Sequence, residues 1–155
     1  TAAGENRYLW DGFREMIETR AVDIVHPDLL TAGGMAETKK IADYAERYGL
    51  LTALHFAGSP IAFMANLHCA AAIPSFVALE HHGLDLPFWE DLVTGLPQPL
   101  MQEGYVAVPE QPGLGVDLDY EGIEANLRFP GLFAPTDEWN TPKLGFWQPD
   151  RRWEK

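Results

Sequence analysis

Three short apolar runs, separated by helical segments, constrain the fold of this chain more than any other feature. The runs are "AVDIV" at residues 21–25, Leu50 to His55, and "FVALE" at residues 76–80. Their spacing of roughly 25 to 30 residues is too long for hairpins and favours parallel strands joined by crossover helices. We therefore predict an α/β fold, either a doubly wound sheet or part of a (β/α)₈ barrel.

The segments between these runs carry helix signals. Apolar residues recur at helical spacing from Leu9 to Thr19, and Met35 to Tyr48 repeats that pattern before Gly49, a typical helix stop. Ser59 and Pro60 supply an N-cap and a first-turn proline for a third helix through about Ala72. The "TAGG" stretch at residues 31–34 predicts a loop.

The chain changes character after its third strand. We predict a region of alternating strands and helices at residues 1–82 and an irregular, proline-rich extension at residues 83–155, with a short strand at Tyr105 to Val108. The tryptophans of the extension are expected to be packing groups: Trp89, Trp139, Trp147 and Trp153. The sequence starts at Thr1 without a methionine, so we expect it to be a piece of a longer chain.

The net charge and the cysteine content limit which binding partners and which cellular compartment we expect for this chain. Eleven lysines and arginines against 23 acidic residues give a net charge of −12, which disfavours nucleic acid and anionic membrane surfaces. Residues 60–79 are apolar, but polar residues and a proline interrupt them too often for a membrane span. We find no signal peptide, and with Cys69 as the only cysteine no internal disulfide is possible, so we expect a reducing, cytoplasmic location.

Ionisable residues stand where the predicted strands end. Asp28 follows the first strand, His55 ends the second and Glu80 ends the third. A histidine at a strand end is usually structural, but Asp28 on the neighbouring strand could accept the Nδ1 proton of His55 and fix its tautomer. Glu80, if protonated in an apolar setting, could donate a hydrogen bond to a developing oxyanion; otherwise it is a solvated or ion-paired carboxylate.

Other patterns carry less weight. "DLDYEG" at residues 117–122 resembles the start of an EF-hand loop, but Arg128 stands where the bidentate glutamate is needed. His81 and His82 could bind metal, yet adjacent residues of a strand point to opposite faces. Cys69 lies mid-helix on an apolar face, which argues against a nucleophile. Glu5 precedes the first helix, where the end of an earlier strand would fall, and one carboxylate alone cannot hold Mg²⁺.

Four motifs in order give the chain a family resemblance. The motifs are "GEN", "VDIVHPDLLTAGGMAETKKIADYAERYG", "LTALHFAGSPIAFMANLHCAAAIPSFVALE" and, as the fourth, the tail with "PGLG" and "FAPTDEWN". With these motifs the chain resembles the C-terminal half of the barrel domain in the mandelate racemase subgroup of the enolase superfamily, and within it acid-sugar dehydratases of the galactonate dehydratase kind. The resemblance implies about strands 6–8 of a (β/α)₈-type barrel, preceded by the end of the fifth strand at Glu5. It makes residues 1–82 a partial barrel domain and implies that the extension at residues 83–155 packs on the barrel and on a capping domain.

The resemblance also implies a role for each strand-end residue. Glu5 matches a Mg²⁺-binding carboxylate, Asp28 and His55 match an Asp-His dyad, and Glu80 matches the glutamate that hydrogen-bonds the substrate carboxylate as it becomes an enediolate. The implied reaction is Mg²⁺-dependent dehydration of a sugar acid to a 2-keto-3-deoxy acid by a full-length homo-oligomer. His55 would act as acid or base. Racemase or cycloisomerase activity, or a catalytically silent interaction module, are the alternatives.

Overall fold

A parallel four-stranded sheet organises the chain, as a computed structural model shows. The strands follow one another in space in the same order as in sequence, β1-β2-β3-β4, and every neighbouring pair is parallel. They are β1 (Ala2–Ala3), β2 (Ile24–Val25), β3 (Leu51–Leu54) and β4 (Phe76–Leu79). A doubly wound sheet reverses its strand order at a switch point, whereas a barrel segment does not. The partial-barrel prediction is therefore confirmed.

Helices connect the strands as their sequence signals indicate. They are α1 (Leu9–Glu18), α2 (Leu29–Ala32), α3 (Met35–Arg47), α4 (Pro60–Ala71) and α5 (Tyr120–Ala125). The three helices predicted from periodicity and capping signals, α1, α3 and α4, end within one residue of their expected bounds. Ser59 caps α4 by accepting the Ala62 N–H at 3.4 Å, and Gly49 follows α3 in the left-handed region at φ 75°.

Three local predictions are wrong. "TAGG" is not wholly a loop, because α2 extends through Ala32: the Asp28 side chain caps its start, and Gly33 at φ 117° ends it. Only Ile24–Val25 of "AVDIV" pairs as a strand. Tyr105 forms a single antiparallel bridge with Gln102 in place of a strand to Val108. A two-stranded antiparallel sheet joins β5 (Val93–Thr94) to β6 (Asp117–Leu118), which the sequence did not indicate.

The buried side chains lie between the sheet and its helices. One cluster joins α1 and α3 to β2, and its largest members are Phe13, Ile17 and Ile41. Another joins α4 to the segment after β4, through Phe63 and Trp89. Cys69 is buried at 3% exposure, and burial raises the pKa of its thiol, which agrees with the prediction that it is no nucleophile.

The structure describes residues 1–128, of which residues 1–123 form one compact unit. The predictions for Trp139, Trp147, Trp153 and "FAPTDEWN" lie outside the described residues, and the division at residue 82 stays a prediction. Trp89, at 2% exposure, is a packing group as expected. None of the helices in residues 1–128 has the length and hydropathy that crossing a bilayer requires.

Candidate functional site

Backbone pairing brings the strand-end residues side by side. The His55 N–H donates to the Pro27 carbonyl at 3.0 Å, and the Glu80 N–H donates to the Leu54 carbonyl at 3.0 Å. Asp28 and His55 face each other across a parallel bridge that extends the β2–β3 pair. Because the carboxyl ends of parallel strands share one edge of the sheet, three residues up to 52 positions apart in sequence form one group.

Asp28 and His55 form the dyad that the sequence predicted. His55 Nδ1 donates to Asp28 Oδ2 at 2.7 Å, and the Asp28 side chain is almost wholly buried. The other carboxylate oxygen, Oδ1, accepts the N–H groups of Leu30 at 2.8 Å and Thr31 at 3.1 Å. Asp28 thus holds the imidazole in one tautomer and leaves Nε2 as the atom able to take or give a proton.

Glu80 lies against the free edge of His55. Its Oε2 is 3.6 Å from His55 Nε2 and accepts the Phe56 N–H at 3.3 Å, while Oε1 accepts from His82 Nε2 at 2.8 Å. Partial burial raises the pKa of Glu80, but the hydrogen bonds from His82 and Phe56 and the nearby imidazoles outweigh it and hold the pKa below its usual value. Of the two alternatives that the sequence left open for Glu80, this lowered pKa favours the ion-paired carboxylate in the free site.

A third imidazole, from His26, lies in the site and was missed in the sequence. Its Nδ1 donates to the Ala53 carbonyl at 3.2 Å, and its Nε2 is 3.5 Å from Glu80 Oε2. Its ring meets that of His55 edge to face, with centroids 5.5 Å apart. The available signal was its position two residues before Asp28, since alternate residues of an extended segment share a face.

Glu5 lies just after β1, at the same edge of the sheet. Its backbone carbonyl accepts the Thr31 hydroxyl at 3.3 Å, which ties it to the turn that Asp28 caps. Its carboxylate accepts from the Gly4 N–H and from the Asn6 amide, both at 3.2 Å. Hydrogen bonds from its own N–H and that of Gly4 hold the pKa of Glu5 below its usual value, so an anionic oxygen ligand is available.

These residues do not make a complete metal site. Mg²⁺ prefers octahedral oxygen ligation, and the carboxylate of Glu5 supplies one part of such a shell. Within residues 1–128, no three histidine, cysteine or acidic side chains are arranged to hold a metal ion. Glu5 therefore fits as a single ligand, and the described residues alone do not build the rest.

An aromatic cluster joins the loops that follow β3 and β4. His81 stacks on Phe63 with centroids 4.5 Å apart and lies 4.9 Å from Trp89, whose Nε1 donates to the Gly58 carbonyl at 2.8 Å. Phe56, adjacent to His55, packs on Phe63 at 5.3 Å. The cluster thus fixes the neighbours of both His55 and Glu80.

His81 and His82 have separate roles, because both follow β4 and do not lie on it as predicted. Desolvation lowers the pKa of His81, which stays neutral, and its Nδ1 accepts the Gly83 N–H at 3.0 Å. His82 is exposed and reaches back to Glu80. The two side chains therefore have separate partners, Gly83 for His81 and Glu80 for His82, and do not form a joint metal site.

Comparison with protein families matches residues 1–123 to the family described as enolase C-terminal domain-like. Among curated relatives, a D-xylonate dehydratase from Haloferax volcanii is 48% identical over 126 residues, covering 81% of this chain and 30% of the relative. A D-galactonate dehydratase from Ralstonia pickettii is 34% identical over 123 residues, covering 76% of this chain and 32% of the relative. The chain spans about a third of the length of these relatives.

Solved structures give the same picture. The crystal structure of a mandelate racemase/muconate lactonizing enzyme-like protein from Rubrobacter xylanophilus superposes with a TM-score of 0.74 at 44% identity. The match covers 78% of this chain and 31% of that chain. The fraction of the known protein that this chain matches is thus about the same in the sequence comparison, at 30%, and in the structure comparison, at 31%.

Proposed function

This chain belongs to the enolase C-terminal domain-like family, and from that premise we propose that the complete protein dehydrates a sugar acid to a 2-keto-3-deoxy acid. The observation that carries the proposal is the His55 imidazole, fixed at Nδ1 by Asp28 and facing Glu80 with Nε2, at the carboxyl ends of parallel strands. Relatives named D-xylonate and D-galactonate dehydratase support the substrate class.

His55 is the proton carrier of this proposal. Dehydration removes the α-proton of the substrate carboxylate and expels the β-hydroxyl as water, and the enol that remains tautomerises to the keto acid. His55 Nε2 either abstracts the α-proton or protonates the leaving hydroxyl, and Asp28 stabilises the imidazolium that forms in the first case. A positioned acid or base of this kind contributes about 10²–10⁴-fold to the rate.

Glu80 is proposed to hydrogen-bond the enediolate oxygen. An ionised carboxylate cannot donate a hydrogen bond, so Glu80 must receive a proton when substrate binds. His82 Nε2, hydrogen-bonded to Glu80 Oε1 at 2.8 Å, and His55 Nε2, 3.6 Å from Glu80 Oε2, are the imidazole nitrogens from which that proton can come. Imidazole nitrogens that can donate a proton therefore lie next to the Glu80 carboxylate, which must accept one.

Mg²⁺ is proposed as the cofactor, with Glu5 as one of its ligands. A bound divalent cation would supply positive charge that stabilises a developing enediolate. Its other ligands would have to come from outside the described residues, so the residues here account for proton movement and hydrogen bonding only. A homo-oligomeric state and a cytoplasmic location stay predictions.

The test is the conversion of an aldonate panel by the complete protein. We expect a 2-keto acid product from at least one of D-xylonate and D-galactonate, in a reaction that chelation of divalent cations abolishes. His55→Asn should lower kcat by about 10²–10⁴-fold, while the matched control His68→Gln, on α4, should not. An epimerised or isomerised product without a 2-keto acid would favour a racemase or cycloisomerase. No conversion of any substrate would favour the catalytically silent interaction module. Wild-type turnover by His55→Asn would mean that His55 has only a structural role.

A further inference from the structure

We propose that His26 is a positioning residue that holds the Glu80 carboxylate in line with His55 Nε2. Glu80 Oε2 lies between two imidazole nitrogens, 3.5 Å from His26 Nε2 and 3.6 Å from His55 Nε2. The catalytic meaning of this arrangement rests on the proposed function. The arrangement itself is a feature of the described side chains.

The backbone fixes where the His26 ring can be. The His26 N–H donates to the Ala3 carbonyl at 3.0 Å, so the residue is anchored to β1 at the end of β2. Pro27 follows at once, and a following proline restricts its predecessor to extended backbone. The imidazole is about one-fifth exposed, packs edge to face on His55, and donates through Nδ1 to Ala53 of β3. Three neighbouring strands therefore determine the direction of its Nε2.

The two imidazoles that face Glu80 Oε2, those of His26 and His55, have different partners at Nδ1 and different roles. A carbonyl oxygen only accepts, so His26 Nδ1 carries a proton in every charge state, as His55 Nδ1 does opposite Asp28. Only Nε2 of each ring can gain or lose a proton at Glu80. When His55 exchanges its Nε2 proton with substrate, its attraction for Glu80 changes. His26 does not exchange with the substrate in this scheme: with a proton on both ring nitrogens it donates to Ala53 through Nδ1 and attracts Glu80 through Nε2.

Two substitutions separate this role from a purely structural one. The amide nitrogen of His26→Asn lies close to the original Nδ1 and still serves the Ala53 carbonyl, but it cannot reach Glu80. The amide nitrogen of His26→Gln extends to the original Nε2 position and reaches Glu80, while the Ala53 contact is lost. A structural role requires the Ala53 contact, and a positioning role requires the Glu80 contact.

The experiment measures kcat and KM of both variants in the complete protein, together with thermal unfolding. We expect His26→Asn to lower kcat by about 10²-fold, the usual cost of a misplaced catalytic group, with an unchanged unfolding midpoint. His26→Gln should retain most of the wild-type kcat. The opposite ranking, equal losses in both variants, or a loss of kcat that follows loss of stability would overturn the proposal.

A second measurement leaves His26 intact and needs no turnover. Long-range ¹H–¹⁵N spectra of the complete protein, labelled at histidine, should show the Nε2 resonances of His26 and His55 shifting together in Glu80→Gln. Unchanged His26 resonances would overturn the positioning role even if the enzyme dehydrates aldonates. If wild type dehydrates none of them, the proposed function fails, while a paired shift would still establish the His26–Glu80 contact.

Discussion

His55 Nδ1 lies 2.7 Å from Asp28 Oδ2, and the second oxygen of the same carboxylate caps the helix that begins at Leu29. One buried side chain thus orients the proton carrier and also starts α2. The two hydrogen-bonding roles use different oxygens, so substitutions can separate them.

Asp28→Asn should abolish the catalytic role and retain the cap. Asparagine caps helices about as well as aspartate, but with its oxygen on the cap it turns an N–H toward His55 Nδ1. His55 must then adopt the tautomer that protonates Nε2, which removes its basic lone pair. We expect kcat to fall by about 10²–10⁴-fold, with little change in the urea unfolding midpoint.

Asp28→Ala is the comparison for that variant. It removes the cap as well, so it should lose about 1 kcal/mol more in the free energy of unfolding than Asp28→Asn. Equal stability of the two variants would mean that the cap contributes nothing. Full activity in Asp28→Asn would mean that the dyad does not set the tautomer of His55.

His81→Phe should make the chain less sensitive to mild acid. Desolvation holds the pKa of His81 below that of an unfolded chain, so the folded state binds fewer protons. The stability that depends on neutral His81 is present above the unfolded pKa of about 6.5 and is lost as the pH falls through the folded pKa. Phenylalanine keeps the stack on Phe63 and cannot be protonated.

The measurement is the free energy of unfolding of wild type and His81→Phe from pH 8 to pH 5. The two curves should run parallel above about pH 7 and diverge below it, with wild type losing more. Curves that remain parallel down to pH 5 would show that His81 can be protonated at no cost within the folded cluster.

Gly83→Ala should destabilise the protein through the aromatic cluster. A Cβ at residue 83 would lie 2.6 Å from Trp89 and 2.7 Å from His81, both of which are packed rings that cannot easily move. Overpacking of this kind costs about 1–3 kcal/mol. Gly12→Ala, inside α1, is the matched control. Its added Cβ would lie no closer than 3.7 Å to any neighbouring side chain, so alanine should raise the free energy of unfolding by about 0.5–1 kcal/mol. Urea unfolding of both variants measures the difference, and a neutral Gly83→Ala would contradict the rigid packing.

Local signals in the sequence were sufficient for the helices and the strand ends. Ser59 with Pro60 and Gly49 are chemical start and stop signals that act within a few residues, so α3 and α4 were predicted closely. The dyad was also within reach, because a parallel arrangement alone places Asp28 beside His55. By contrast, β5 and β6 lie over 20 residues apart and have no local signal that pairs them.

The sequence by itself determined the alternation of strands and helices, the positions of the ionisable strand ends and, through its motifs, the family. Only the tertiary structure decided that the pKa of Glu80 lies below its usual value despite partial burial, that His26 lies beside it and that α2 begins on Asp28. The physical reason is distance: hydrogen bonds from Phe56 and His82 and the nearby imidazoles lower the pKa of Glu80, and those groups meet only when β2, β3 and β4 lie side by side. Periodicity and capping act along the chain, whereas protonation depends on neighbours in space.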